Sequence, residues 1–168
     1  MSSLPTLNLV GGGRVAQTLA TLWHRQPCFS IQDVLTTSLP SAQEACSTIG
    51  AGQAVSTWQA MRPADVWMLA VTDAQIAGCA RQLAETHALN RTSTAPAPLA
   101  FHCSGAHSSE LLAPLAAQGW RVASAHCILS FASVSAALQQ FPGTPCALEG
   151  DAHARGSAVT HQAHIVEL

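Results

Sequence analysis

Three glycines separate a short apolar run from an amphipathic one. Leu7-Asn8-Leu9-Val10 stops at Gly11-Gly12-Gly13, and from Arg14 onward Val15, Leu19, Leu22 and Trp23 recur at helical spacing. Read as strand, turn and helix, Gly11-Gly12-Gly13-Arg14-Val15-Ala16 fits the pattern G-x-G-x-x-A. Each position has a physical task. Gly11 makes the tight turn, Gly13 lets the backbone approach a pyrophosphate, and small Ala16 lets the helix pack closely on the strand. Phosphate oxygens would then meet free N–H groups and the positive end of the helix dipole. The chemistry implied is dinucleotide binding, and the motif has weight because both flanking elements are right.

NAD sites usually place a carboxylate about 20 residues past the first glycine, on the adenosine ribose hydroxyls. Asp33 stands at that distance, but before the end of the second strand, which falls near Thr36. At that end the residues are Thr36, Thr37 and Ser38, hydroxyls that tolerate a 2′-phosphate where a carboxylate would repel it. The pattern favours NADP(H); NAD is the alternative, with Asp33 as the contact that would select it. Arg14 either adds positive charge near the phosphates or is a solvated arginine at a helix start.

In open α/β sheets the ligand lies beyond the carboxyl ends of the strands. Three such ends carry suggestive residues: Val71-Thr72-Asp73, His102-Cys103-Ser104-Gly105-Ala106, and His126. Val71, Thr72 and Asp73 fall to the cofactor. His102, Ser104 and His126 are the candidate catalytic groups, since a histidine can protonate a developing alkoxide or amine as hydride arrives. The competing reading of each histidine is a ring that ties down a loop by hydrogen bonds. Cys103 reads as a packed thiol, because no base or cation is visible beside it.

The elements that must hold these groups follow from periodicity. Residues 30–37 form a second strand, and Ser41-Ala42-Gln43-Glu44 is a capping box that opens a helix ending near Gly50. A short third strand falls at 51–55. Residues 65–71 are almost wholly apolar, as in a parallel strand covered on both faces. Ile76, Ala80, Leu83 and His87 form one helical stripe, residues 90–98 a polar loop, and residues 99–103 the next strand. A helix carrying Leu111, Leu112 and Leu115 closes at Gly119 and is regular only from Pro114, which suits a first helical turn. Residues 121–125 form a strand ending at His126, and residues 146–149 a last extended piece. Strands alternating with helices imply an α/β fold, a Rossmann-type parallel sheet with helices on both faces, over residues 1–151. Residues 152–168 read as an irregular tail.

Composition narrows the function classes. Of 168 residues, 48% are hydrophobic and 10% charged, which argues against disorder over the whole length. The formal charge is -2 with no basic cluster, so a nucleic-acid partner is not expected. No apolar stretch is long enough for a bilayer, and the N-terminus lacks a basic signal-peptide region, so a cytoplasmic protein is expected. The six cysteines include no C-x-x-C pair and the eight histidines no H-E-x-x-H, so no metal site is expected and the thiols read as small packed hydrophobes.

Taken together, the motifs resemble Rossmann-like oxidoreductases whose N-terminal NADP-binding domain precedes a helical domain of unknown function, DUF2520. That group is similar in turn to pyrroline-5-carboxylate reductases, F420-dependent NADP oxidoreductases and β-hydroxyacid dehydrogenases. The resemblance runs over about residues 6 to 151. Its carriers are the glycine turn, Ser38-Leu39-Pro40-Ser41-Ala42, Ala70-Val71-Thr72-Asp73, His102-Cys103-Ser104-Gly105-Ala106, and Ala125-His126-Cys127-Ile128-Leu129-Ser130-Phe131. It implies the NADP(H)-binding domain of an oxidoreductase that moves hydride to or from a C=O or C=N bond of a small molecule. The nicotinamide would rest near Val71 and Ser104, with His102 or His126 as proton donor. The alternative is a dinucleotide-binding module without catalysis, or an inactive truncated product.

The chain departs from the group in three places. Thr37 stands where an arginine usually precedes the serine, and Thr72 and Cys127 stand where proline is common. The group's C-terminal helical domain is expected to be missing, the chain reading as truncated or recoded after Asp151. Its loss is expected to expose apolar surface around Phe131, Leu138 and Phe141, and so to favour a homodimer or a poorly soluble chain.

Overall fold

The computed structural model describes residues 3–89 and 95–150. The tail expected at 152–168 and the first half of the loop expected at 90–98 lie outside the described residues.

Seven strands form one sheet: β1 (Thr6–Val10), β2 (Ser30–Leu35), β3 (Gln53–Val55), β4 (Val66–Leu69), β5 (Leu99–His102), β6 (Arg121–Cys127) and β7 (Cys146–Gly150). Their order is β3-β2-β1-β4-β5-β6-β7, and the first six run parallel. The expected parallel sheet is thus present with one correction. β7 returns antiparallel to β6, with Cys127 opposite Cys146. The connection begins and ends at the same edge of the sheet, so it needs no crossover.

The helices are α1 (Arg14–Arg25), α2 (Leu39–Ile49), α3 (Asp73–Thr86), α4 (Ala113–Ala116) and α5 (Val134–Gln140). Strand alternation divides the core between the two sheet faces. Leu7, Leu9, Val66 and Met68 face one way, where Trp23 of α1 and Ala45 of α2 cover them. Val10, Trp67 and Leu69 face the other, against Ile76 and Leu83 of α3 and Leu115 of α4. All four residues of β4 and of β5 are buried, as their apolar runs require.

Three local differences from the sequence reading have physical causes. The helix expected to open at a Ser41 capping box opens earlier: Ser38 is its cap, and its side chain accepts from the Ser41 N–H. Pro40, which lacks an N–H, is at home in that first turn. Pro114 likewise opens α4 after a 3₁₀ turn at Ser109–Leu112, as expected, although the regular part is a single turn. Finally, α5 was not anticipated. It is capped by the Ser133 side chain and packs beside α1, which buries Phe141 to 1% exposure. Of the apolar patch expected to drive association, Phe141 is buried, while Phe131, packed against the core, and Leu138 are half-buried. No helix among the described residues is long and apolar enough to cross a membrane.

Candidate functional site

The strand order reverses at β1, which lies between parallel β2 and β4, and the glycine turn sits at that switch point. At Gly11 φ is +100°, and a Cβ there would lie 2.2 Å from the Ala70 carbonyl oxygen, so only glycine fits. Its N–H donates to the Leu35 carbonyl at 2.8 Å, while the Ala70 N–H donates to the Val10 carbonyl at 2.8 Å. The ends of β2, β1 and β4 are thereby tied together at one point. Gln17 Nε2 donates to the Gly12 carbonyl at 2.7 Å and braces the turn from the helix side. Gly13 differs from its neighbours: a Cβ there would meet nothing within 4 Å. It caps α1 without a side chain, and the first turn of α1 holds no acidic residue. The positive end of α1 therefore stands uncapped beside open space.

A cleft of about 530 Å³ opens over this turn. Of the residues expected at a cofactor, Gly11, Gly13, Thr36, Thr37, Val71 and Thr72 line it. Arg14, Val15, Ala16, Ser38 and Asp73 do not. Arg14 is exposed and reaches the Phe131 carbonyl at 3.4 Å, Val15 packs against the core, and Ala16 is buried under the helix. Ser38 is engaged as the cap of α2, and Asp73 stands 3.8 Å from Nε2 of His107. Gly12 of the turn, the strand ends Val10 and Leu35, and Ala70 just past β4 also line it, and sequence reasoning missed Ser41, Trp58, Gln75, Cys79 and Gln82. The last three recur at helical spacing on α3, next to the apolar stripe, and that spacing was the available signal.

Asp33, the rival ribose contact, lies elsewhere. It is 1% exposed and does not line the cleft. Its carboxylate accepts from the Arg62 backbone N–H at 2.7 Å and from the Arg62 guanidinium at 2.6 Å, which raises the Arg62 pKa. The Asp33 N–H in turn donates to Asn8 Oδ1, and Asn8 Nδ2 donates to the Arg62 carbonyl. The carboxylate at the right spacing is a structural tie between β2 and the segment leading into β4.

The candidate catalytic groups stand beyond the cleft lining, at the ends of β5 and β6. His102 is fully buried, and both ring nitrogens have partners. Nδ1 accepts from the Ser104 N–H at 3.2 Å, so Nε2 is the nitrogen that donates to the Ser108 carbonyl at 3.0 Å. In this geometry His102 holds the turn after β5 and has no nitrogen left for a substrate. Ser104 Oγ accepts from the Ala106 N–H at 3.1 Å and closes that turn. His126 is half-buried, with Nδ1 3.4 Å from the Cys103 carbonyl. Its ring lies over Gly105, where a Cβ would come within 2.6 Å of Nε2. The glycine of the Ser104-Gly105-Ala106 turn makes room for that ring. Glu149 anchors the far side by accepting from Ser109 N–H and Oγ at 2.6 and 2.9 Å, and the Ser109 backbone N–H, as the leading cause, lowers its pKa. No group of three or more metal-ligating side chains occurs among the described residues.

A family model described as a Rossmann-like domain matches residues 5–127, from the approach to β1 through the end of β6. The chain belongs to the Rossmann-like family. Solved structures share this Rossmann-like fold at low identity. A proposed NADP oxidoreductase from Bacteroides fragilis matches with a TM-score of 0.74 and 16% identity, over 96% of this chain and 58% of its own. A pyrroline-5-carboxylate reductase from Coxiella burnetii matches with a TM-score of 0.71 and 16% identity, over 99% and 58%. A prephenate dehydrogenase from Aquifex aeolicus, bound to hydroxyphenyl propionate and NAD+, matches with a TM-score of 0.72 and 16% identity, over 98% and 58%. The Rossmann-like chain thus spans a little over half the length of these proteins. Among curated proteins, none matches its sequence.

Proposed function

We propose that this Rossmann-like domain binds NADP(H) and serves an oxidoreductase acting on a C=O or C=N bond of a small molecule. The pyrophosphate would lie against the uncapped N-terminus of α1 at Gly13, and the adenosine ribose at Thr36 and Thr37. One observation carries the choice of cofactor: the carboxylate of Asp33 is sealed against Arg62. The ribose end of the cleft therefore presents the hydroxyls of Thr36, Thr37 and Ser41 and no carboxylate. A 2′-phosphate there would accept from Thr37 and Ser41 and stand near the N-terminus of α2, where the helix dipole favours an anion. NAD is the alternative, supported by the absence of arginine from the residues lining the cleft.

When bound, the dinucleotide supplies or accepts the hydride. The chain's own part is orientation and proton handling. Val71 and Thr72 lie on the cleft wall at the end of β4, and β4 pairs with β5, which leads to Ser104. His126 stands one strand further on and is the half-exposed histidine of the expected pair, so we assign it the proton transfer and give His102 the role of holding the turn beneath it. The second reading, a binding module without catalysis, is supported by the engagement of both His102 nitrogens.

Calorimetric titration with NADPH and, separately, NADH tests the proposal. At least tenfold tighter binding of NADPH is expected, about 1.4 kcal/mol. The reverse order overturns the cofactor choice, and binding of neither by a folded chain overturns the site. Binding without turnover across a panel of carbonyl and imine substrates favours the module.

A further inference from the structure

We propose that Cys127 and Cys146 form a site of reversible oxidation that closes to an intramolecular disulfide, with a hydroperoxide as the oxidant. The two are distant in sequence and belong to no cysteine motif, yet the β6–β7 register sets them directly opposite each other. The Ile128 N–H donates to the Pro145 carbonyl at 2.9 Å, so Ile128 and Pro145 occupy a hydrogen-bonded position. The next pair inward, Cys127 and Cys146, is then a non-hydrogen-bonded pair, in which Cα atoms approach to about 4.5 Å. That spacing lies within the range a disulfide spans, about 4.4–6.8 Å. The Sγ atoms stand 2.7 Å apart, so bridging asks for no backbone rearrangement.

The pair is also asymmetric in the way that oxidation requires. Cys127 is buried at the end of β6, and Cys146 is half-buried on the outermost strand, where a small oxidant can reach it. Their hydrogen bond lowers the Cys146 thiol below the ordinary cysteine value and raises Cys127. Nearby Cys103 is pushed up to about 12 by burial and by the neighbouring Cys146, which keeps it protonated at neutral pH.

Cys146 thiolate attacks one peroxide oxygen; an S–O bond forms, the O–O bond breaks, and the departing oxygen takes a proton. The Cys127 sulfur then attacks Sγ of the Cys146 sulfenic acid. The S–S bond forms, the S–O bond breaks, and water leaves with the Cys127 proton. Two thiols lose two electrons, and hydrogen peroxide is reduced to two waters.

The test treats the folded full chain with hydrogen peroxide, quenches it, and alkylates the remaining thiols in denaturant. Two of the six thiols are expected to disappear, with the Cys127 and Cys146 peptides linked in the mass spectrum and released by dithiothreitol. Closing the loop should also raise Tm by about 5–10 °C. In Cys146→Ser, all five remaining thiols should survive the same treatment. Six surviving thiols in the folded parent, a bridge to Cys103, or the same loss in Cys146→Ser would each overturn the proposal.

Discussion

Replacing Asp33 with asparagine separates a structural carboxylate from a cofactor ligand. The carboxylate is 1% exposed, whereas the Arg62 side chain is 56% exposed. That asymmetry sets the magnitude. Arg62 can turn its charge to water, so the roughly 3–5 kcal/mol cost of stranding one member of a buried ion pair does not apply. The loss is that of charge-assisted hydrogen bonds to the Arg62 N–H and guanidinium, about 2 kcal/mol, with an amide N–H now facing a cation. For a chain of this size each kcal/mol moves Tm by roughly 2–4 °C, so a fall of about 4–8 °C is expected. The ratio of NADPH to NADH affinity should stay within about threefold of the parent, because sites without shared partners act independently. Thermal unfolding followed by circular dichroism gives the first quantity, and calorimetric titration the second. An unchanged Tm together with a tenfold or greater loss of NADH affinity would refute the reasoning and return Asp33 to the ribose.

Gly11→Ala combines a positive φ with a Cβ placed 2.2 Å from the Ala70 oxygen, so it should cost about 3 kcal/mol or more and abolish dinucleotide binding; a parental denaturation midpoint would contradict this. Gly105→Ala brings a Cβ to 2.6 Å from His126 Nε2 and should move the His126 ring resonances in NMR while leaving dinucleotide affinity within about twofold of the parent. Unmoved resonances would detach that turn from His126. Glu149 has its pKa lowered chiefly by the Ser109 backbone N–H, so the stability it contributes is complete above the ordinary glutamate value of about 4.3 and is lost as pH falls through its lower folded value. Glu149→Gln should flatten the acid limb of a Tm–pH profile in that window, and an unaltered limb would show that Glu149 does not contribute to it.

The glycine turn of the candidate site was legible because it is built from backbone. The tight turn at Gly11 and the uncapped helix start at Gly13 need only glycine at the right spacing between a strand and a helix, and that spacing is written in the sequence. The same economy lets the fold persist in proteins only 16% identical to this chain. Side-chain fates were less legible, because distant partners decide them. Asp33 has the spacing of a ribose ligand, but its partner Arg62 comes from a segment 29 residues further on, which no local pattern announces. The same holds for Cys127 and Cys146, whose meeting depends on β7 running antiparallel. For His102 the missing information was local but geometric: a ring two residues before Ser104 can take the Ser104 N–H only when the turn is tight enough. That turn also underlies the proposed division of labour between the histidines. With both nitrogens engaged, His102 fixes the backbone at Ser104, which in turn fixes Gly105 beneath the His126 ring. The rigid member of the pair thereby sets the position of the half-exposed one, which is what the proposed proton transfer by His126 would require.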